Sequence, residues 1–411
     1  MRKSSLMVFI MVMVMIPMFV LSDYSESSSA TTTSKETIKI GYLGTLSGPF
    51  AAVDKYETPA VQMVIDNVNA AGGLLGRKVE LVTRDDQGDP SVVAQKLNEL
   101  KAAGCVVVVG CILDTCTPAL AQWAKDNKIP AVQVGSASVA LRTTHFNKYT
   151  FNTYPISVAL ARIFARNISK QNVNSIYMIG ADVSIAHDVY NYFWPEMKKI
   201  KPSVTDLGST WVDITEMEFS NIISSTLAKN PNLLITGVAG PPWSNFIQQA
   251  KRFNLFDKTK VAGIFLLGGG TTEPFGGNYP NGLQGPTWCP YYLDEKPMKD
   301  FSQAFYKKTK LYPDDITMSW YLATLAAAES IKKADSTDPE KIVNALEIMT
   351  FDTPLGKVHY RDFDHQLILP VWYATSGYTK DYPQAIGLNP TKYGENVYPT
   401  KDEILSLRAA K

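Results

Sequence analysis

The feature that most constrains the fold is a regular alternation of short apolar runs and helical segments from residue 37 onward. The run CVVVVG (105–110) is apolar up to its final glycine, which is typical of a strand buried on both faces of a parallel sheet. The pattern predicts strands at 38–43, 78–86, 105–110 and 129–134, and helices at 58–71, 90–101 and 117–127. Such an alternation predicts an α/β fold with helices on both faces of the sheet.

The same alternation restarts after a bridging stretch at 151–155. It predicts helices at 158–169, 188–200, 219–229 and 243–253, and strands at 175–180, 232–237 and 261–269. Further helices are predicted at 301–310, 317–333 and 339–349, with strands near 355–360 and 368–374. Because 411 residues exceed the roughly 250–300 that one core accommodates, we expect two successive α/β units. We expect residues 377–411 to form a tail packed on the surface.

Composition excludes several function classes. Forty basic and 39 acidic residues give a formal net charge of +1, which argues against a nucleic-acid binder and against an acidic disordered chain. The exception to this balanced composition is the N-terminus, where Arg2 and Lys3 precede an uncharged run (6–21) and a Ser/Thr-rich stretch (22–34). This pattern predicts a signal peptide, with cleavage near residues 28–30, or an uncleaved anchor over residues 1–34. Either interpretation exports the rest of the chain.

The sequence offers little for metal binding or catalysis. The four cysteines form no CxxC pair and the four histidines are scattered, so we expect neither a metal nor a cofactor. Export permits disulfides, and a bond between Cys111 and Cys116 is possible across a loop. P-loop, GxSxG and HExxH motifs are absent, so we expect no enzyme activity. We interpret Asp85-Asp86 and the group Asp362, Asp364 and His365 as solvated strand ends.

Two segments carry a resemblance to a known family. The sequence IKIGYLGTLSGPFAAV (38–53) is followed by NAAGGLLGRKVELVTRDDQGDP (69–90). Both resemble the type I periplasmic binding proteins of ABC importers, in particular their branched-chain amino-acid receptors, typified by leucine-binding proteins. Matches continue in order at 106–110, 129–141, 151–155 and 364–366, so the resemblance covers about 38–375.

The resemblance implies two Rossmann-like lobes with parallel sheets, joined by three hinge strands, with a ligand held between the lobes. It places 37–153 and about 285–352 in the first lobe. It places 154–284 and about 353–376 in the second lobe, and leaves 377–411 as the tail.

The resemblance also implies ligand-binding residues in the first lobe, at the carboxyl ends of its strands. Phe50 would form an apolar wall at the mouth of the pocket. Hydroxyl and N–H groups in two further loops would hold a ligand carboxylate, namely those of Thr115, Cys116 and Thr117, and those of Ser136, Ala137 and Ser138. For Thr117, the alternative is an ordinary helix N-cap.

In the second lobe the sequence departs from the family pattern. Ile185 and Ala239 stand where the receptors usually carry aromatic side chains. Gly269, within a triple glycine, stands where an acid usually pairs with the ligand's ammonium group. Glu273 and Asp114 are the candidate replacements, because a buried ammonium group needs an acidic partner.

We therefore expect an extracytoplasmic solute-binding protein that delivers a small organic solute to ABC permease subunits. The family default is a branched-chain or other apolar amino acid, and the alternative is an aromatic or aliphatic carboxylate or an amide. Exported sensor domains and secreted hydrolases are alternatives of other classes. We expect a monomer with no nucleic-acid partner.

Overall fold

The computed structural model describes residues 36–409. The strands are β1 (Ile38–Gly44), β2 (Val79–Asp85), β3 (Cys105–Gly110), β4 (Ala131–Gln133), β5 (Thr150–Asn152), β6 (Ser175–Ala181), β7 (Thr205–Val212), β8 (Leu233–Gly237), β9 (Lys260–Gly263), β10 (Gln284–Thr287), β11 (Thr350–Thr353), β12 (Gly356–Tyr360), β13 (Leu367–Ile368), β14 (Val371–Gly377) and β15 (Ile386–Tyr393). The helices are α1 (Asp54–Ala70), α2 (Pro90–Ala102), α3 (Thr117–Asn127), α4 (Ser157–Ile168), α5 (Ser184–Ile200), α6 (Ser220–Lys229), α7 (Gly240–Arg252), α8 (Leu255–Lys258), α9 (Gly269–Thr272), α10 (Lys296–Thr309), α11 (Asp315–Ala334), α12 (Pro339–Glu347) and α13 (Lys401–Ala409).

The first sheet is parallel throughout and has the strand order β2-β1-β3-β4-β5. Strand β3 shows why its sequence is apolar at successive positions. Val107 and Val109 point into the core formed with α1 and α11, whereas Val108 points into the core formed with α2 and α3. Both faces of the sheet are therefore covered, as the uninterrupted apolar run predicts.

The second sheet has the order β15-β14-β10-β9-β8-β6-β7 and is mixed, because β14 runs antiparallel to both β10 and β15. Its parallel strands are again buried on two faces. Met178 of β6 packs with Val189 and Phe193 of α5, and Ile179 packs with Phe246 of α7 on the other face.

Three crossings connect the two sheets. The chain leaves the first sheet after β5, returns after β10, and crosses again between β12 and β14. A small sheet of β11, β12 and β13 accompanies the last crossing. Asn152 and Gln366 form a parallel bridge between the first and third crossings. The expected fold class, two α/β lobes joined by three hinge strands, is confirmed, whereas the residue limits given for the two lobes remain a prediction.

Several elements differ from the sequence expectations. The strand expected over 261–269 ends at Gly263, where the backbone turns although Leu266 and Leu267 stay buried in the second lobe. Strand β7 was not predicted because most of its residues are partly or fully exposed and it lacks an apolar run. Residues 377–411, expected as a surface tail, contribute β15 to the second sheet and end in helix α13.

The expected signal peptide or anchor (1–34) lies outside the described residues. Over residues 36–409, no helix combines the length and apolar character needed to cross a bilayer.

Candidate functional site

A cleft lies between the lobes, at the carboxyl ends of the strands of the first sheet. Loops after β1, β3 and β4 bring Thr45–Phe50, Cys111–Cys116 and Val134–Val139 to this edge, as expected for parallel strands. Gly135 allows the second and third loops to touch, because a Cβ atom there would lie 1.6 Å from the carbonyl oxygen of Ile112. The first turn of α5 and the loop after β9 face these loops from the second lobe.

Asp114 faces the first turn of α5 across the cleft. The Ser136 hydroxyl, from the same lobe, donates to its Oδ1 at 2.7 Å. From the second lobe, the Ser184 hydroxyl and the backbone N–H of Ile185 lie close enough to this carboxyl group to favour its charged form. Burial raises the pKa of Asp114 above its ordinary value, and these donors and the charge of Arg142 oppose that shift.

Loop 136–138 is held in place by the fully buried Arg142. Its guanidinium donates to the carbonyl oxygens of Ser136 (2.7 Å), Ser138 (3.0 Å) and Tyr154 (3.2 Å), and to Oε1 of Gln366 (3.0 Å). Burial lowers the pKa of Arg142 to about 10, so the side chain remains charged near neutral pH. This single cation therefore fixes the third cleft loop to the first and third crossings.

A hydrogen bond joins the two lobes near Asp114. The backbone N–H of Val139 donates to Oδ2 of Asp188, a residue of α5, at 3.0 Å. Burial raises the pKa of Asp188 as well. The first turns of α5 and the third cleft loop are therefore in direct contact.

The triple glycine after β9 packs closely against the residues that precede α11. A Cβ atom on Gly269 would lie 2.6 Å from the carbonyl oxygen of Tyr312, and one on Gly270 would lie 2.5 Å from Oδ2 of Asp314. The Asp314 carboxyl group itself accepts hydrogen bonds from the N–H and the hydroxyl of Thr317. An acid therefore does lie beside the triple glycine, but it comes from the first lobe.

Acidic side chains surround the buried Tyr154. Burial and the nearby negative charges of Asp315, Asp114 and Asp314 raise the pKa of its phenol well above the ordinary value. Burial likewise raises the pKa of Asp314. Lys55 of the first lobe pairs with Glu273 of the second lobe at 3.2 Å.

Asp315 is tied to the second crossing. Its Oδ1 accepts from the Thr287 hydroxyl (2.7 Å) and from the N–H groups of Trp288 and Cys289 (both 2.8 Å). Burial raises its pKa from 3.8 to about 7, although these three donors favour the charged form. The same residue therefore starts α11 and positions the chain that returns from the second lobe.

The structure places the predicted site residues in different surroundings. Asp114, Ser136, Ser138 and Ile185 meet at the contact between the lobes, and Ala137 accepts two hydrogen bonds from Ser157 at the start of α4. Thr115 is exposed, whereas Cys116 is fully buried in the core of the first lobe.

The remaining predicted residues lie on the rim of the cleft. Phe50 is half-buried, and its ring would lie 3.5 Å from a Cβ atom added to Gly88. Ala239 is the N-cap residue of α7, Glu273 pairs with Lys55, and Gly269 packs on Tyr312. The Thr117 hydroxyl donates to the Asp114 carbonyl at 2.9 Å, so Thr117 secures the turn and the N-cap of α3 is Cys116.

The four cysteines are buried and free among the residues that the structure describes, so Cys111 and Cys116 form no disulfide here. Over the same residues no cluster of His, Cys, Asp and Glu is suited to a metal ion.

A cavity of about 700 Å³ lies outside the cleft, between α10 and the loop that precedes β15. Its lining includes the tyrosines 291, 292, 306, 312 and 382 and the lysines 299, 307 and 310. The Tyr291 ring contacts three of these rings, those of Tyr292, Tyr312 and Tyr382, at centroid distances of 5.3–5.5 Å. Any ligand-binding experiment has to distinguish this cavity from the cleft.

Sequence reasoning missed several cleft residues, namely Tyr154, Ser184, Asp188, Asp314 and Asp315. A detectable signal preceded Asp314, because Asp314 and Thr317 form a capping box at the start of α11. No comparable signal marks Tyr154, whose role depends on residues from three distant segments.

Two parallel-stranded lobes that close on a loop-lined cleft define a class of receptors that capture a small molecule by hinge closure. A profile of the periplasmic binding protein family matches residues 37–380, and the chain belongs to this family. The expected relationship to the branched-chain amino-acid receptors is confirmed.

The relatives differ in the solutes that their names give. The leucine-, isoleucine-, valine-, threonine- and alanine-binding protein of Pseudomonas aeruginosa is 24% identical over 330 residues, covering 79% of this chain and 86% of the relative. A periplasmic binding protein from Burkholderia mallei aligns with a TM-score of 0.80 at 21% identity, covering 91% and 98% of the two chains. A Rhodopseudomonas palustris solute-binding protein in complex with 3,4-dihydroxybenzoic acid aligns with a TM-score of 0.78 at 16% identity, covering 87% and 97%.

Proposed function

We propose that this protein captures a small organic solute carrying an ammonium group between its lobes and delivers it to the permease of an ABC importer. The observation that carries the proposal is the group of carboxyl groups at the cleft: Asp114 beside Ser136, Asp188 against the N–H of Val139, and Asp314 beside the triple glycine. A buried ammonium group is stable only beside such acceptors.

The solutes in the names of the curated relatives favour a solute with an ammonium group over an aromatic acid. The curated relatives are named for amino acids, which carry an ammonium group. Several solved neighbours hold benzoates, which lack one. An anionic benzoate would enter a cleft whose buried acids outnumber its one buried arginine. Capture then proceeds by hinge closure without chemistry on the solute, in an extracytoplasmic monomer.

A thermal-shift screen of the purified protein tests this proposal. The panel holds the twenty amino acids, primary amines, polyamines, amides, and aliphatic and aromatic acids. A solute at one hundred times its Kd stabilises the folded state by about 2.7 kcal/mol, so we expect a concentration-dependent rise in Tm with amine-bearing solutes. A response confined to acids without an amine would contradict the proposal.

Tyr306→Ala serves as the matched control, because Tyr306 is 39% exposed and lines the cavity outside the cleft. The Tm response should persist in this variant. Its loss would place binding in the tyrosine-lined cavity instead.

A further inference from the structure

The cavity outside the cleft, of about 700 Å³, has the size of a small-molecule pocket. One wall is α10, which is fixed to the first lobe because the Phe305 ring stacks with that of Tyr56 in α1, with centroids 6.5 Å apart. Another wall is formed by Asp381 and Tyr382, which lie between β14 and β15 of the second sheet. A ligand in the cavity would therefore contact both lobes.

Three tyrosine rings of the lining form a stack. The Tyr306 ring stacks with that of Tyr312 at 4.7 Å, and the Tyr312 ring stacks with that of Tyr291 at 5.3 Å. The Tyr382 ring meets Tyr312 and Tyr291 edge-on, at 5.2 Å and 5.5 Å. Tyr306 is 39% exposed and Tyr291 is buried, so the stack runs inward from the surface. Such a lining suits a planar aromatic ligand, because aromatic rings prefer stacked and edge-on contacts.

The charged side chains of the lining favour an anion. Lys299 and Asp294 pair with each other at 2.5 Å, so these two charges compensate one another. The other charged lining residues are Lys307, Lys310 and Asp381, which are two cations against one anion. Among residues 36–409 no carboxyl group forms an ion pair with either of these lysines. An anionic ligand would supply the missing counter-charge.

Two further observations bring polar groups to the tyrosine stack. The Lys310 ammonium group lies 6.0 Å from the centroid of the Tyr306 ring, so a positive charge adjoins the stack. Ser302 of α10 also lines the cavity and is only 6% exposed. Its hydroxyl has no hydrogen-bond partner among the residues that the structure describes, so it can donate to an oxygen of a ligand.

We propose that this cavity is a second ligand site, which binds a small aromatic anion. The ring of the ligand would pack with the tyrosine stack, and its charge would lie near Lys307 and Lys310. Ser302 would donate to an anionic oxygen, an arrangement that strengthens a hydrogen bond. This site lies outside the cleft and favours the opposite charge to that of the proposed solute, so it goes beyond the proposed function.

Isothermal titration of the purified protein tests the chemistry of the site with probes that separate ring from charge. Benzenesulfonate has both an aromatic ring and a negative charge. Cyclohexanesulfonate lacks the aromatic ring, and benzyl alcohol lacks the charge. We expect benzenesulfonate to bind at least tenfold more tightly than either of the other probes. Equal affinities for the three probes would overturn the proposal.

Variants of exposed residues test the location of the site. Tyr306→Ala and the double variant Lys307→Gln/Lys310→Gln should each weaken benzenesulfonate binding at least tenfold. The matched control is Lys308→Gln, because Lys308 lies on the same helix, does not line the cavity and pairs with Asp66 at 2.9 Å. This control should bind benzenesulfonate as the wild type does.

Two results would contradict the second site. One is the absence of benzenesulfonate binding at millimolar concentrations, and the other is binding that both cavity variants leave unchanged. Benzenesulfonate binding that the cavity variants weaken, combined with no response to any amine, would contradict the proposed function and leave the second site supported.

Discussion

At the scale of single residues, the cleft is organised by buried carboxyl groups that differ in their partners. Asp114 accepts a hydrogen bond from Ser136 within the first lobe, and Asp188 accepts one across the cleft from Val139. Asp314 caps α11, and Asp315 holds the second crossing. Each is partly compensated by donors, yet burial raises the pKa of each one. The protein therefore carries acids in its hinge region that take up protons more readily than exposed acids do.

The raised pKa of Asp315 should make the stability of the protein depend on pH. Its pKa rises from 3.8 to about 7 on folding, so between these values the folded state binds more protons than the unfolded state. The free energy of unfolding should therefore fall as pH rises through this window, by at most about 1.4 kcal/mol per pH unit from this group. Asp315→Asn should flatten this decline, as measured by urea unfolding at a series of pH values.

The control for this experiment is Asp294→Asn, which changes an exposed aspartate paired with Lys299. Its pH profile should follow that of the wild type between pH 4 and 7. Superimposable profiles of the wild type and Asp315→Asn would refute the assignment.

At the scale of elements, the turn that begins α9 packs closely against the backbone of the opposite lobe. Gly269 lies where a Cβ atom would come within 2.6 Å and 2.9 Å of two backbone oxygens, those of Tyr312 and Pro313. Because these residues belong to the opposite lobe, Gly269→Ala should hinder closure rather than folding. We expect solute affinity about tenfold weaker or more, since a smaller closed fraction lowers apparent affinity in proportion.

Gly277→Ala is the matched control, because a Cβ atom there meets no atom within 4 Å. Affinity measured by isothermal titration should be unchanged in this variant. Equal losses in both variants would show that the effect does not arise from closure.

The elements that could be predicted from sequence are those whose signal is local. Strand β3 is apolar at successive positions because both its faces are buried, and α3 begins with Thr117-Pro118 as predicted. Strands β5, β10 and β13 have two to four residues each, so they carry no periodic signal. Their existence depends on pairing with distant strands.

The residues of the candidate site also fall into those that the sequence reveals and those that only the fold reveals. Asp114 and Ser136 could be found from the loops that follow recognisable strands. Asp188 and Asp314 lie within or beside helices, and only the packing of one lobe on the other brings them to the cleft. Their selection requires the three-dimensional arrangement.

At the scale of the whole molecule, the C-terminal segment is part of the folded core. Ile404 of α13 is fully buried, whereas its neighbour Leu405 is 44% exposed. Ile404→Ala should lower the free energy of unfolding by about 2–5 kcal/mol, and Leu405→Ala should change it by no more than about 0.5 kcal/mol. Denaturant unfolding of both variants measures the difference, and equal effects would show that α13 is not docked.

The end of the chain also reaches the hinge. Arg408 donates to the carbonyl oxygen of Arg142 at 3.0 Å, across 266 positions of sequence. The first sheet is complete once residue 152 has been synthesised, whereas the second sheet waits for β14 and β15. Vectorial synthesis therefore assembles the hinge last, because contacts of such long sequence separation form only after both partners have emerged. A nascent chain can pair the strands of its first sheet early, but the capacity to trap a solute arises only when the C-terminal segment has emerged.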